Sequence, residues 1–281
     1  MSASHNASAS ARQNRIIAAC LSLAVFAVYA LTLAPDVLPG DSGEFQFAAP
    51  LLSIVHPTGY PLYLLLAKLF TLIPIGTVAY RVNLFSAACA ALAVALLYDA
   101  TWRALERSTP ASARATNRWA ALIAALTFAF TPTFWAQAIK AEVYALNALF
   151  VAALLGLALR GNAKASLALT LGLALTHHRS IILLVPALAV TLFPFVGWRG
   201  VWKRALVLLV LPLTLYFYTP LRYAETPYTR ITLDDRHVIT TIENTPAAFV
   251  AHALGTGFGG ALRWDAVAVE RLAGTPGRIV N

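Results

Sequence analysis

Apolar stretches long enough to cross a bilayer recur along this chain, and the gaps between them are short. A spanning helix needs about twenty predominantly apolar residues. About seven stretches meet or approach that length by this measure: 16–34, 82–104, 119–136, 141–160, 165–178, 180–197 and 204–221. Pro186 and Pro212 predict kinks in the last two. The pattern excludes an ordinary soluble domain: 59% of the 281 residues are hydrophobic and 12% are charged, where a soluble domain carries about a quarter. It predicts an all-α integral membrane protein, a multispanning helical bundle.

The net charge of +9 does not imply nucleic acid. The basic residues sit in the gaps between apolar runs, as orientation by the positive-inside rule requires, and no soluble module carries a basic face interleaved with aromatics. Arg12 and Arg15, then Arg107, Arg114 and Arg118, then Arg160 and Lys164, then Arg199, Lys203 and Arg204 all fall on one side under this alternation, the cytoplasm. The small polar residues of 1–15 are expected to be a disordered cytoplasmic N-terminus, and 16–34 an uncleaved signal anchor. Cys20 and Cys89 lie inside apolar runs and read as small hydrophobes.

The outer side then receives the loop 35–81, the turn at Lys140, the turn at His177 to Arg179, and the segment 223–281. Within the loop, 45–55 and 60–73 predict two short helices around the turn "HPTGYP". Irregular backbone at membrane depth is tolerated where protein or a watery cavity covers it, so this loop should pack on the bundle and line a cavity. In the last segment, Asn244 or Thr245 could cap a helix starting at Pro246, and "GTGFGG" at 255–260 should end it.

The chemistry-bearing residues cluster on that side. Asp41 and Glu44 share one face if their segment is helical; a half-buried carboxylate there can act as a general base, or one of the two can cap the helix. His56, locked before Pro57, can bind a substrate hydroxyl or phosphate, or be satisfied by backbone. In "THHRS", His177, His178 and Arg179 suit a phosphate or sit at headgroup level. In "KAEVY", Lys140, Glu142 and Tyr144 share the outer side, with Lys140 and Glu142 at the ends of a tight turn. Tyr60 lies in the loop turn, and Arg222 closes the last run, the usual place of an interfacial anchor. Such a cavity would either transfer a group from an anionic lipid or bind and move an anionic solute.

The motifs "GDSGEF", "HPTGYPLY", "RVNLFSA", "AEVYALN", "THHRS" and "YTPLR", in this order, resemble the protein O-mannosyltransferase-like family of multispanning membrane proteins. The likeness covers about residues 17 to 223; "YAETPYTRITLDDRH" after Arg222 departs from the family pattern. The family is a branch of the GT-C glycosyltransferases. The resemblance implies a GT-C-like transmembrane domain over 16–222, with its catalytic loop at 35–81, in a bacterial cytoplasmic membrane. It implies an inverting enzyme that moves a sugar, mannose in this family, from a polyprenyl-phosphate donor to a protein or other envelope acceptor. Asp41 would be the base and Glu44 would assist it. His56, Tyr60, Lys140, Glu142, Tyr144, His177, His178, Arg179 and Arg222 would be substrate contacts. Relatives using monophosphate-linked sugars work without a metal, so no cofactor is expected, although Asp41, Glu44 and His56 could also form an oxygen-and-nitrogen metal site. The alternative is a non-catalytic membrane protein that binds or transports an anionic lipid or solute.

Overall fold

Helices carry most of the described residues. A computed structural model of the protein describes residues 2–161, 164–192, 202–234, 237–240 and 242–256. The order is α1 (Ser2–Leu31), α2 (Asp41–Leu51), α3 (Pro61–Thr71), α4 (Val78–Ser108), α5 (Arg114–Ala129), α6 (Pro132–Ala138), α7 (Val143–Arg160), α8 (Lys164–His177), α9 (Val185–Leu192), α10 (Trp202–Val210), α11 (Tyr218–Arg222) and α12 (Pro246–Leu254). The described exception is an antiparallel hairpin of β1 (Arg230–Asp234) and β2 (His237–Thr240), which pairs Arg230 with Thr240.

Four helical segments are long and apolar enough to cross a membrane: 9–31, 78–108, 143–160 and 203–222. A fifth span results if the segments 111–129 and 132–138, bent by 68° at Pro132, count as one. Seven full spans are therefore not seen among the described residues. The expected span 165–178 is the 14-residue α8, and the stretch from 180 is divided into a 3₁₀ turn (Arg179–Leu184) and the short α9. Pro186 stands in the first turn of α9. Pro212 opens a second 3₁₀ stretch, Leu211–Phe217, between α10 and α11; a proline supplies no N–H to the helical ladder, and the chain tightens around it. The residues of 2–15, expected to lack order, continue α1 towards its start.

The bundle closes around α4, whose apolar window is 67% buried against 22% for that of α1. Small residues permit that enclosure. Ala121, Ala125 and Ala129 recur every four residues on α5 and are fully buried, facing the alanine-rich α4 (Ala87, Ala90, Ala91 and Ala93 are buried). Without a hydrophobic drive between helices in lipid, such small faces let backbones approach and gain dispersion contact. Two buried hydrogen bonds add to it: Tyr29 Oη donates to the Ala129 carbonyl (2.7 Å) and Tyr98 Oη to Asn14 Oδ1 (2.7 Å). At the far flank, Gly172 of α8 lets α10 pass so closely that a Cβ there would lie 2.3 Å from the Leu209 carbonyl oxygen.

The loop after α1 folds back as α2 and α3 against one end of this bundle. Asn83, fully buried near the start of α4, ties it down. Its Nδ2 donates to the Ala34 carbonyl (2.8 Å), and its Oδ1 accepts from Gln46 Nε2 and from the Ala141 amide, both at 2.8 Å. One side chain thus joins α1's exit, α2, α4 and the turn before α7.

Candidate functional site

The site begins with Gly40, whose left-handed φ of 69° turns the chain into α2. Asp41 and Glu44 occupy the first helical turn, where the positive end of the helix dipole favours carboxylates. Between them stands Gly43, and a Cβ there would lie 2.2 Å from the Leu38 carbonyl oxygen, so the incoming chain presses directly on the helix. Ser42 points the other way and donates to Glu142 Oε1 (2.9 Å, buried). Glu142 stands immediately before α7, is 7% exposed, and its Oε1 lies 3.5 Å from Lys140 Nζ. The expected turn of "KAEVY" is observed, and it is locked to α2.

Glu44 holds His56. Its Oε1 accepts the His56 backbone N–H (2.8 Å), and its Oε2 accepts from Nδ1 of the ring. That hydrogen bond raises the His56 pKa above its ordinary value of 6.5; partial burial opposes the rise, and the charge of Glu44 adds to it. Phe45 supports the histidine, with ring centroids 5.6 Å apart, and Tyr60 packs edge-on at 5.3 Å. Burial pushes the Tyr60 phenol up to about 12, so it remains a neutral donor.

The opposite wall comes from the "THHRS" turn. His177 is fully buried; its Nε2 donates to the Val143 carbonyl (2.9 Å), and its ring stacks on Tyr63. His178 accepts the Ser180 amide at Nδ1 (3.2 Å), which leaves its proton on Nε2. Burial, then the neighbouring Arg179, lowers its pKa. Arg179 is exposed, and it donates to the Leu254 carbonyl (2.9 Å) at the end of α12.

These walls enclose a cavity of about 260 Å³ lined by Asp41, Phe45, His56, Pro57, Thr58, Tyr60, Glu142, Val143, Tyr144, His178 and Arg179. Its lining thus brings together the carboxylates of Asp41 and Glu142, the imidazoles of His56 and His178 and the guanidinium of Arg179. Of the residues picked from sequence, Asp41, His56, Tyr60, Glu142, Tyr144, His178 and Arg179 meet there. Glu44, Lys140 and His177 stand immediately behind them. Arg222 is placed elsewhere: Nε donates to the Leu52 carbonyl (2.9 Å) and an Nη to that of Leu51 (3.0 Å), so it satisfies the last carbonyls of α2.

His252 of α12 escaped the sequence reading. Its Nε2 would meet a Cβ on Gly59 at 3.1 Å, so α12 covers the cavity's rim. Burial and then the His56 charge lower its pKa. A lone histidine in a short apolar helix gives no sign of this contact. The expected cap was visible: Thr245 Oγ1 accepts the Ala248 amide (3.1 Å). Of "GTGFGG", 257–260 lie outside the described residues.

Asp41, Glu44 and His56 each offer one ligand atom, all within 4.8 Å of one another. Two hard oxygens and one imidazole nitrogen suit a divalent ion such as Mg²⁺ or Mn²⁺. An ion there would have to replace the Glu44–His56 hydrogen bond.

Fold and cavity together define a multispanning membrane protein with a charged pocket at one end of its helical bundle. The family model for the N-terminal domain of protein O-mannosyl-transferase TMEM260 matches residues 41–196, and the chain belongs to this family. The mouse protein O-mannosyl-transferase TMEM260 is 36% identical over 212 residues, which cover 70% of this chain and 28% of the mouse protein. The Dictyostelium discoideum protein O-mannosyl-transferase tmem260 is 31% identical over 131 residues, covering 46% of this chain and 15% of that protein. The chain therefore spans less than a third of the length of these relatives. No solved structure matches it.

Proposed function

We propose that this chain carries the catalytic pocket of a GT-C-type membrane glycosyltransferase, which moves mannose from a polyprenyl-phosphate donor to a hydroxyl of a protein or other envelope acceptor. The observation that carries the reading is the gathering of Asp41, His178 and Arg179 in the lining of one cavity. The mannosyl-transferase names of the relatives point to the same chemistry.

In this reaction Asp41 takes the acceptor's hydroxyl proton as its oxygen attacks the anomeric carbon. The bond between that carbon and the phosphate oxygen breaks, its electron pair leaves with the polyprenyl phosphate, and the configuration inverts. Arg179 and the Nε2–H of His178 face the developing phosphate charge. Arg179 would exchange its hold on the Leu254 carbonyl for that charge, its guanidinium fork offering paired charge-assisted hydrogen bonds to the phosphate. His56, whose pKa Glu44 raises, adds a ring held in place at the same wall. Tyr60 and Tyr144 offer hydroxyls to the sugar. Glu142, Lys140 and His177 fix the α7 start and the "THHRS" turn, and Arg222 fixes α2.

In a bacterial cytoplasmic membrane, 16–222 would form the transferase domain and 223–281 an outer-side segment. The arginine-rich end and the N-terminus would face the cytoplasm, following the positive-inside rule.

Reconstituted protein supplied with radiolabelled polyprenyl-phosphate mannose and envelope acceptors tests the reading. Label should pass to an acceptor in the anomeric configuration opposite to the donor's, with polyprenyl phosphate released in equal amount. Donor binding without release of polyprenyl phosphate, across sugars and acceptors, would support the non-catalytic alternative. A parallel assay with chelator and with Mn²⁺ decides whether the Asp41, Glu44 and His56 trio works as a metal site.

A further inference from the structure

A second cavity lies at the end of the bundle remote from Asp41. Along α4, Trp102 is about 30 Å from Asn83, the anchor of the first site. This cavity has a volume of about 600 Å³ and is lined by Ala11 and Arg15 of α1, by Trp102, Arg103, Glu106 and Arg107 of α4, and by Leu159 and Arg160 of α7. The last turns of α4 and α7 and the first half of α1 therefore bring four arginines around one space.

Two carboxylates are near, and both are taken. Asp99 accepts from Arg103 (2.7 Å) and Arg160 (3.4 Å). Glu106 accepts from Arg114 (3.3 Å) and Asn117 (3.0 Å). Among the described residues Arg15 and Arg107 have no carboxylate partner; Arg15 donates to the Ala11 carbonyl (3.4 Å), and Arg107 to that of Leu159. The cavity keeps an uncompensated positive charge.

A second observation is independent of charge. Trp102 is 8% exposed, and its indole N–H is buried without an acceptor among the described residues. A buried donor left unpaired is costly, and Trp102 is itself one of the residues that line the cavity. Arg103 lies over the same ring at 5.7 Å, which fixes the indole. Guanidinium forks offer paired charge-assisted hydrogen bonds to phosphate, and basic pockets between helix ends at the membrane surface hold anionic headgroups.

We propose that this cavity binds a phosphate group, Arg15 and Arg107 supplying the charge and Trp102 a neutral donor. An anionic phospholipid headgroup is the source that a space between helix ends at the membrane surface favours. The inference does not depend on the transferase reading.

The test uses the full chain in nanodiscs of phosphatidylcholine doped with phosphatidylglycerol, with retained lipid read by native mass spectrometry. Phosphatidylglycerol retention should fall about thirtyfold in the double variant Arg15→Gln, Arg107→Gln, from the loss of two juxtamembrane cations. It should fall severalfold in Trp102→Phe, which keeps the packing, and stay unchanged in Arg12→Gln, a nearby exposed arginine outside the cavity. In a second arm, inorganic phosphate is titrated in phosphatidylcholine-only nanodiscs, with Trp102 fluorescence isolated by difference from Trp102→Phe. Saturation there, together with displacement of phosphatidylglycerol by phosphate from the doped nanodiscs, would assign the site to a soluble phosphate; no response would assign it to the lipid. Equal retention by all variants with no response to phosphate, or an equal loss in Arg12→Gln, would overturn the proposal.

Discussion

Glu44 does its work through His56. It accepts from both the backbone and the ring of that histidine, and the ring's pKa rises above 6.5 as a result. A histidine whose folded-state pKa is raised adds stability that is fully present below the unfolded value, about 6.5, and is lost as pH climbs through the elevated folded value. Melts of detergent-solubilised protein should therefore fall in midpoint as pH rises from about 6.5. Glu44→Gln should flatten that fall, and a variant that keeps the slope would contradict the pairing. Gly43 is constrained differently. A Cβ there would lie 2.2 Å from the Leu38 carbonyl oxygen, a backbone atom that cannot swing aside. Gly43→Ala should cost about 1–3 kcal/mol by overpacking, measured as unfolding free energy against the same change at Gly156, where the space is open.

At the scale of elements, the loop 35–81 is tied to the bundle by Gln46 on Asn83, Ser42 on Glu142, and Tyr218 and Arg222 on the carbonyls of Ser53, Leu52 and Leu51, and Asn83 also fastens the residues on either side through Ala34 and Ala141. Asn83→Ala would leave the Ala34 carbonyl, the Ala141 amide and Gln46 without their partner. At about 1–3 kcal/mol for each buried group left unpaired, the loss should reach about 3–5 kcal/mol in a denaturant titration. Arg222→Ala should likewise lower stability, by freeing the carbonyls of Leu51 and Leu52, while donor affinity stays within about twofold; a large rise in donor Kd at wild-type stability would return Arg222 to the pocket. The second helix of the loop and α12 were legible in the sequence because apolar runs there follow turn signals, Gly59 before Pro61 and Thr245 before Pro246, whereas the first, expected over 45–55, starts four residues earlier at Asp41. The stretch from 180 was not, because an apolar run looks the same whether it continues as one helix or opens with a 3₁₀ turn before a shorter one. The hairpin was available in "RITLDDRHVIT", two β-branched runs around a polar turn, but it is short and follows a membrane pattern. Asp41, His56 and Arg179 could be picked by residue type and side. The placement of Arg222 on α2, and of His252 over Gly59, depends on contacts far apart in sequence.

At the scale of the whole molecule, two polar cavities occupy opposite ends of one bundle, joined by the alanine-lined length of α4. Single cysteines at Ile75 and Ala111, which flank α4, in a Cys20→Ser background should react with an impermeant maleimide from opposite faces of sealed vesicles. Labelling of both from one face would break this arrangement. The central claim rests on Asp41, a base indispensable to transfer and dispensable for holding the donor. The most direct measurement compares wild type with Asp41→Asn in one preparation, for mannose transfer from the polyprenyl-phosphate donor and for donor Kd. The account predicts a fall in transfer of about 10²–10⁴-fold with Kd nearly unchanged, the signature of an interaction made in the transition state. Transfer at the wild-type rate, or a loss explained wholly by weaker donor binding, would contradict it.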